Sequence, residues 1–180
     1  MATDLPELDS TTVEVSALLD SPGATRPVDL RVGVPKGFEI PLATLGDVVT
    51  ISGQLDALVD GVLLRGAVRV DATTRCALCL TELTTDEIRA DVAELFTEPS
   101  TAEEPEDVEE GYEVVDGTID VDALIRDALA AAADPSPRCR PDCAGLCPTC
   151  GIDRNTGSCA CSEELIDDRW AVLETLELDT

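Results

Sequence analysis

From Asp47 onward, apolar and polar positions alternate along the chain. Val49, Ile51, Gly53, Leu55, Ala57 and Val59 fall on one face of an extended strand, with mostly polar or small residues between them. Asp60-Gly61 follows, a pair that accepts the positive φ angles of a tight type I′ turn. Beyond it Val62, Leu64, Gly66, Val68 and Val70 resume the alternation. The pattern predicts a long β-hairpin. Leu83, Ile88, Val92 and Leu95 alternate less regularly and predict a third strand over about Glu82 to Phe96, with a local helix as the competing assignment. Residues 1–41 are rich in Pro and Gly, and their apolar stretches, Val13 to Leu19 and Val28 to Val34, suit either a strand or a turn of helix.

Further along, the period changes. Val121, Leu124, Ile125, Ala128, Leu129 and Ala132 recur at helical spacing behind Asp120, and Asp134-Pro135 ends the run. This predicts an amphipathic helix whose acidic first turn complements its dipole. A last helix is expected over about Asp167 to Leu178, with Trp170, Leu173 and Leu176 on one face and Trp170 as a core anchor. Between strands and helix, the stretch from Thr97 to Asp122 holds eleven acidic residues and no basic one. Like charges at that density repel and cannot build a core, so part of the stretch reads as loop, with roughly Glu98 to Glu110 either a solvated linker or a binding segment. The expected fold is α+β: an antiparallel hairpin or meander, an amphipathic helix, a Cys-rich zinc-ribbon-like module and a C-terminal helix. Residues 1–96 form the mainly β portion, 97–117 the acidic loop and 118–180 the helices and Cys-rich module, together one integrated domain.

Composition thins the expected core. The apolar residues are mostly Ala, Val and Leu, and the aromatics are Phe38, Phe96, Tyr112 and Trp170. Aromatic side chains bury the largest areas, so a metal staple is a reasonable supplement. Charge narrows the function: 38 acidic residues against 12 basic ones give a formal net charge of -26, with no histidine. Such a surface repels phosphate and disfavours direct RNA binding, which rests on Lys and Arg; a basic protein partner fits better, and plain solubility is the alternative use of the charge. The amino terminus lacks the basic flank and apolar stretch of a signal peptide, and no run reaches transmembrane length, so a cytoplasmic protein without membrane association is expected.

In a reducing cytoplasm an even set of cysteines points to metal or redox chemistry. The eight fall in two groups. Cys76 and Cys79 sit where the hairpin ends; Cys139, Cys143, Cys147, Cys150, Cys159 and Cys161 form a dense cluster between the two helices. Two cysteines with two residues between them can form a knuckle whose thiolates face one ion, and Cys147-Pro148-Thr149-Cys150-Gly151 has the Pro and Gly that let the chain turn tightly. Eight thiolates make two complete tetrahedral sets. On spacing, Cys147 and Cys150 share one zinc with Cys159 and Cys161, while Cys76 and Cys79 are completed by Cys139 and Cys143 across the acidic loop. Iron bound by four thiolates, redox-cycling dithiols and plain buried cysteines are the competing uses. Without histidine the usual general base is missing, and four-thiolate sites leave no open position for water or a small-molecule substrate, so the zinc is expected to be structural and the protein not to be an enzyme. No fixed-period repeat and no Gly-rich phosphate loop is present.

These residues resemble a family. Cys76-Ala-Leu-Cys79-Leu80 after a long hairpin, Tyr112 and Ile119-Asp120 before a helix, Cys139-Arg-Pro-Asp-Cys143-Ala-Gly-Leu-Cys147-Pro-Thr-Cys150-Gly151 with Asn155, and Cys159-Ala-Cys161 followed by Asp167-Asp168-Arg169-Trp170 are similar to the YceD-like bacterial proteins. Asp168 stands where that family's closing motif has proline. The resemblance spans roughly residues 45 to 178 and implies a role in large-subunit ribosomal RNA accumulation, hence ribosome assembly, with no known reaction and a gene often beside that of a small large-subunit ribosomal protein. Combined with the charge, it suggests an escort for a basic large-subunit ribosomal protein or an assembly intermediate. A zinc-thiol redox-switched holdase is the rival expectation, and a zinc-ribbon transcription adaptor, which a basic surface would favour, is a weaker third.

Overall fold

Alternation builds the centre of the molecule. In the computed structural model, which describes residues 8–83, 87–98 and 111–161, strands β3 (Ala43–Leu58) and β4 (Gly61–Arg75) form the expected hairpin. They pair from Leu58↔Gly61 to Ala43↔Thr74, with a register shift between Leu45 and Val49. Val49, Ile51 and Leu55 face Val70, Val68 and Leu64 across the ladder, and all six are buried. β-branched side chains suit this pleated, half-buried surface.

The turn differs from the type I′ expectation. The two loop residues are Val59 and Asp60, and Val59 is 87% exposed rather than part of the inward face. Asp60 is not among the residues with positive φ, whereas Gly61 is, at +151°. A Cβ at position 61 would stand 2.0 Å from the carbonyl oxygen of Phe96. The glycine is therefore required by the close approach of the next strand, not by a mirror-image turn.

That next strand is β6 (Glu87–Thr97), paired antiparallel with β4 from Asp71↔Glu87 to Gly61↔Thr97. Of the single strand expected over Glu82 to Phe96, Glu82–Leu83 (β5) also lie antiparallel to β4, at Thr74 and Arg75, and residues 84–86 between β5 and β6 lie outside the described residues. The competing helical assignment does not hold for β6, whose Ile88, Ala90 and Phe96 point inward at even spacing. On the other side of the hairpin, β2 (Thr25–Gly33) lies antiparallel to β3. The first apolar stretch resolves into both of its candidates, β1 (Thr12–Glu14) and a single turn of helix, α1 (Ser16–Leu19). At the end of the expected 97–117 acidic loop, Tyr112–Val115 form β7, parallel to the end of β6, and just beyond it Thr118–Asp120 form β8. Acidic density drops after Glu110, and the alternation of Tyr112 and Val114 can then be used.

The result is one mixed sheet ordered β1-β8-β7-β6-β4-β3-β2, with β5 beside β4. The α+β expectation holds in part: its hairpin, amphipathic helix and cysteine groups are present, but the fold is mostly β, with helix confined, among the described residues, to α1 and α2 (Asp122–Ala132). The sheet curls, as the amino-terminal segment makes plain. Asp9 and Arg31 of β2 exchange hydrogen bonds, N–H to carbonyl at 2.8 Å and N–H to carboxylate at 2.8 Å. Three residues later Thr12 pairs with Asp120 of β8. Arg26 of β2 donates to the Glu14 carbonyl at 2.7 Å. One short segment thus touches both ends of the strand order, which a flat sheet of seven ordered strands could not allow at about 4.8 Å per strand.

Inside the curl lies α2. Leu124, Ile125 and Leu129 are buried against the sheet together with Phe96, Val114 and Ile119. Asp120 accepts the Asp122 N–H at 3.0 Å, and Arg126 pairs with Asp122 one turn earlier at 2.7 Å. Tyr112 stacks at 5.2 Å from Phe96, and its hydroxyl donates to Asp127 at 2.8 Å, tying β7 to the helix; burial and then that carboxylate raise the Tyr112 pKa. The C-terminal helix expected over Asp167 to Leu178, with Trp170, and the acidic segment 99–110 lie outside the described residues.

Candidate metal centres

The first knuckle caps the end of β4. Cys76 N–H donates to the Thr81 carbonyl at 2.9 Å, and Leu80 N–H donates back to the Cys76 carbonyl at 2.9 Å. The second repeats the pattern: Cys147 N–H donates to the Ile152 carbonyl at 2.8 Å, and Gly151 N–H to the Cys147 carbonyl at 2.8 Å. The residue after each second cysteine is left-handed, Leu80 at φ +59° and Gly151 at +73°. Glycine adopts that backbone freely, whereas leucine is strained in it.

The chain brings all eight cysteines into two groups of four, Cys76, Cys79, Cys139 and Cys143 in one and Cys147, Cys150, Cys159 and Cys161 in the other, with the sulfurs of each within 4.8 Å of one another. None is in a disulfide. Cys76 Sγ lies 3.8 Å from Cys143 Sγ, and Cys79 Sγ lies 3.7 Å from Cys139 Sγ. Four sulfurs about 2.3 Å from a central ion are separated by about 3.8 Å along the edges of the tetrahedron. The spacing is that of ligands around a thiophilic tetrahedral ion and nearly twice a disulfide bond, about 2.05 Å. In the first group Cys76, Cys79 and Cys143 are buried; in the second, Cys147 is buried while Cys150 and Cys159 are exposed.

Each group mixes thiols that ionise readily with thiols that resist. Cys76 is lowered to about 6, chiefly by the backbone N–H of Cys79 and then of Cys139. Cys147 is lowered to about 6, chiefly by the N–H groups of Cys150 and Thr149. Conversely, desolvation and then the sulfurs of Cys143, Cys79 and Cys76 push Cys139 up to about 12. The Cys150 sulfur, followed by desolvation, pushes Cys161 up to about 12. Four thiolates this close cannot all ionise against their mutual repulsion unless a cation compensates them.

Outer contacts hold the ligands, and sequence reading assigned none of them. The Thr81 hydroxyl lies 3.3 Å from Cys79 Sγ and lowers that thiol's pKa. Asn155 Nδ2 donates to Cys143 Sγ at 3.5 Å and to Asp153 Oδ1 at 2.6 Å, while its Oδ1 accepts from Ala144 N–H at 2.9 Å and Arg140 Nη2 at 2.6 Å. The segment between the groups is tied on both sides: Leu146 N–H donates to the Leu78 carbonyl at 2.9 Å, Arg154 N–H to the Gly145 carbonyl at 2.9 Å, and Ala77 N–H to the Pro137 carbonyl at 2.7 Å. A side chain five residues after one candidate ligand and four before the next leaves a hint only as an Asn in a Cys-rich loop.

Comparison with known proteins places this geometry in context. The family model described as large ribosomal RNA subunit accumulation protein YceD matches residues 64–177. Uncharacterized proteins of Mycobacterium tuberculosis and Mycobacterium bovis are each 34% identical over 165 residues, covering 90% of this chain and 79% of theirs. An uncharacterized protein of Mycobacterium leprae is 30% identical over 143 residues, covering 77% of this chain and 64% of its own length. No solved structure matches the chain.

Proposed function

Because the chain belongs to the YceD family, named for large ribosomal RNA subunit accumulation, we propose that it is a non-enzymatic, cytoplasmic ribosome-assembly factor that escorts a basic large-subunit ribosomal protein. The observation that carries the escort role is the charge of -26; among the described residues no charged residue is fully buried, although Asp56 and Arg69 are partly covered. A surface of that sign attracts Lys- and Arg-rich proteins over long range and repels RNA, so the client is released when RNA phosphates compete for the same cations.

Zinc, one ion in each cysteine group, is the metal this reading assigns. All four donors in each group are sulfur, the sulfur spacing suits a tetrahedral ion, and complete four-thiolate sites are structural sites. When bound, zinc supplies cross-links that a core poor in aromatics lacks.

Affinity purification of the full chain from growing cells, with ribosomal proteins and RNA both quantified, tests the escort. Recovery of a basic large-subunit protein in moderate salt is the expected result; ribosomal RNA without such a protein ends the proposal. Exposure of Cys150 and Cys159 favours one other reading, a thiol-switched holdase. Aggregation suppression that appears only after oxidation, with loss of zinc, is its signature.

A further inference from the structure

We infer that Asn155 couples the two metal centres, so that filling the second strengthens the first. The inference rests on the zinc reading above and extends it from two independent sites to one linked pair. Asn155 lies in the loop from Gly151 to Ser158, which joins two ligands of the second centre, Cys150 and Cys159. Its side-chain amide donates to Cys143 Sγ, a ligand of the first. The loop is itself bonded to the stretch shared by both centres, through the Leu146↔Asp153 bridge and the Arg154 N–H to Gly145 carbonyl bond.

The amide's orientation is fixed by three partners. Ala144 N–H and the Arg140 guanidinium require its oxygen on one side, and Asp153 Oδ1 requires its nitrogen on the other. The remaining N–H then points at the Cys143 sulfur. A donor to a metal-bound thiolate spreads its charge and holds its rotamer, and loss of such an outer partner typically weakens metal binding about 10- to 100-fold. Without an ion drawing Cys150 and Cys159 together, the loop carrying Asn155 is held only by its bonds to residues 144–147, and the donor to Cys143 is less firmly placed. Linkage makes the effect reciprocal: the first centre favours the second by the same factor.

The test uses the full chain loaded with zinc and challenged with a chelator, while a thiol-alkylating reagent tags the cysteines that become free and mass spectrometry maps them. In Asn155→Ala, Cys76, Cys79, Cys139 and Cys143 are expected to be tagged about 10- to 100-fold sooner than in the parent. Asn155→Asp, which keeps the acceptor for Ala144 and Arg140 but has no N–H for the sulfur and sets a second carboxylate against Asp153, should show at least as early a loss. Cys161→Ser should also release the first centre early, and the Asn155→Ala/Cys161→Ser double variant should release it no earlier than Cys161→Ser alone. Full retention by Asn155→Asp overturns the inference, because Asn155 would then only shape the loop. Additive losses in the double variant overturn it as well. A parent chain that binds no zinc defeats the zinc reading and this inference together, an outcome distinct from a parent with two ions and an indifferent Asn155.

Discussion

Leu80 and Gly151 occupy the same place in two knuckles of the same hydrogen-bond pattern, and chemistry distinguishes them. Nothing lies within 4 Å of a Cβ placed on Gly151, so its φ of +73° is the reason for glycine there. Leu80 has φ +59° and is 49% exposed, so it retains the strain of the left-handed backbone with little burial in return. Leu80→Gly is expected to stabilise the zinc-loaded chain by up to about 1 kcal/mol, and Gly151→Ala to cost about 1 kcal/mol. Denaturant unfolding at fixed free zinc reads both, and a destabilised Leu80→Gly would mean that Leu80 contributes packing its exposure does not suggest. The cysteine grouping was legible at this scale because ligand spacing leaves a record in sequence. Leu80's strain and the bond from Asn155 to Cys143 were not, since each depends on a backbone angle or a fold-back that residue identity does not encode.

Among elements, legibility followed length. The β3–β4 hairpin and α2 carry enough periods to be read directly, whereas β1, β5, β7 and β8 have two to four residues each, at most one alternation and too little to detect. Their pairing is decided by the curl of the sheet, a tertiary effect. The amino-terminal segment is the clearest case, because residues 9 to 14 join both ends of the strand order. A chain starting at Ser16 should lose that closure and melt several degrees lower, with faster hydrogen exchange in β2 and β8 while the centre of β3–β4 stays protected. Equal protection in β2 and β8 would remove the closure argument. Asp56 adds a cross-strand tie: its carboxylate accepts from Thr25 at 2.9 Å and from Arg65 Nε at 2.7 Å. The Thr25 hydroxyl, helped by Arg65 and Gln54, holds its pKa below the ordinary carboxylate value. A carboxyl held low in the folded state adds stability above the unfolded value, near 4, that is lost as the pH falls toward the folded value. Asp56→Asn should therefore flatten acid unfolding below about pH 4, and an unchanged acid limb would show the tie to be inert.

At the scale of the whole molecule, two kinds of cohesion are kept apart. Val, Leu and Ile fill the curl of the sheet around α2, while Cys76, Cys79 and Cys143 form a separate small cluster with Leu83 and Leu146. Chelation should therefore unravel residues 76–83 and 137–161 yet leave the hairpin's exchange protection between residues 49 and 70 largely intact; simultaneous loss of both would show a single cooperative unit. The cysteine-rich part is close to neutral, with Arg138, Arg140 and Arg154 against Glu82, Asp142 and Asp153, so the negative charge belongs to the rest of the chain. That charge was fully legible in the sequence, but its use depends on a partner. If attraction of unlike charge drives the escort, the association rate with a basic ribosomal protein must follow the screening length, which shrinks from about 10 Å at 0.1 M salt to about 3 Å at 1 M. Stopped-flow mixing across that range should show at least a ten-fold fall in association rate, with a smaller change in dissociation. A rate indifferent to salt would mean that a specific apolar surface, not the acidic field, selects the client, and the charge would then be left with solubility as its role.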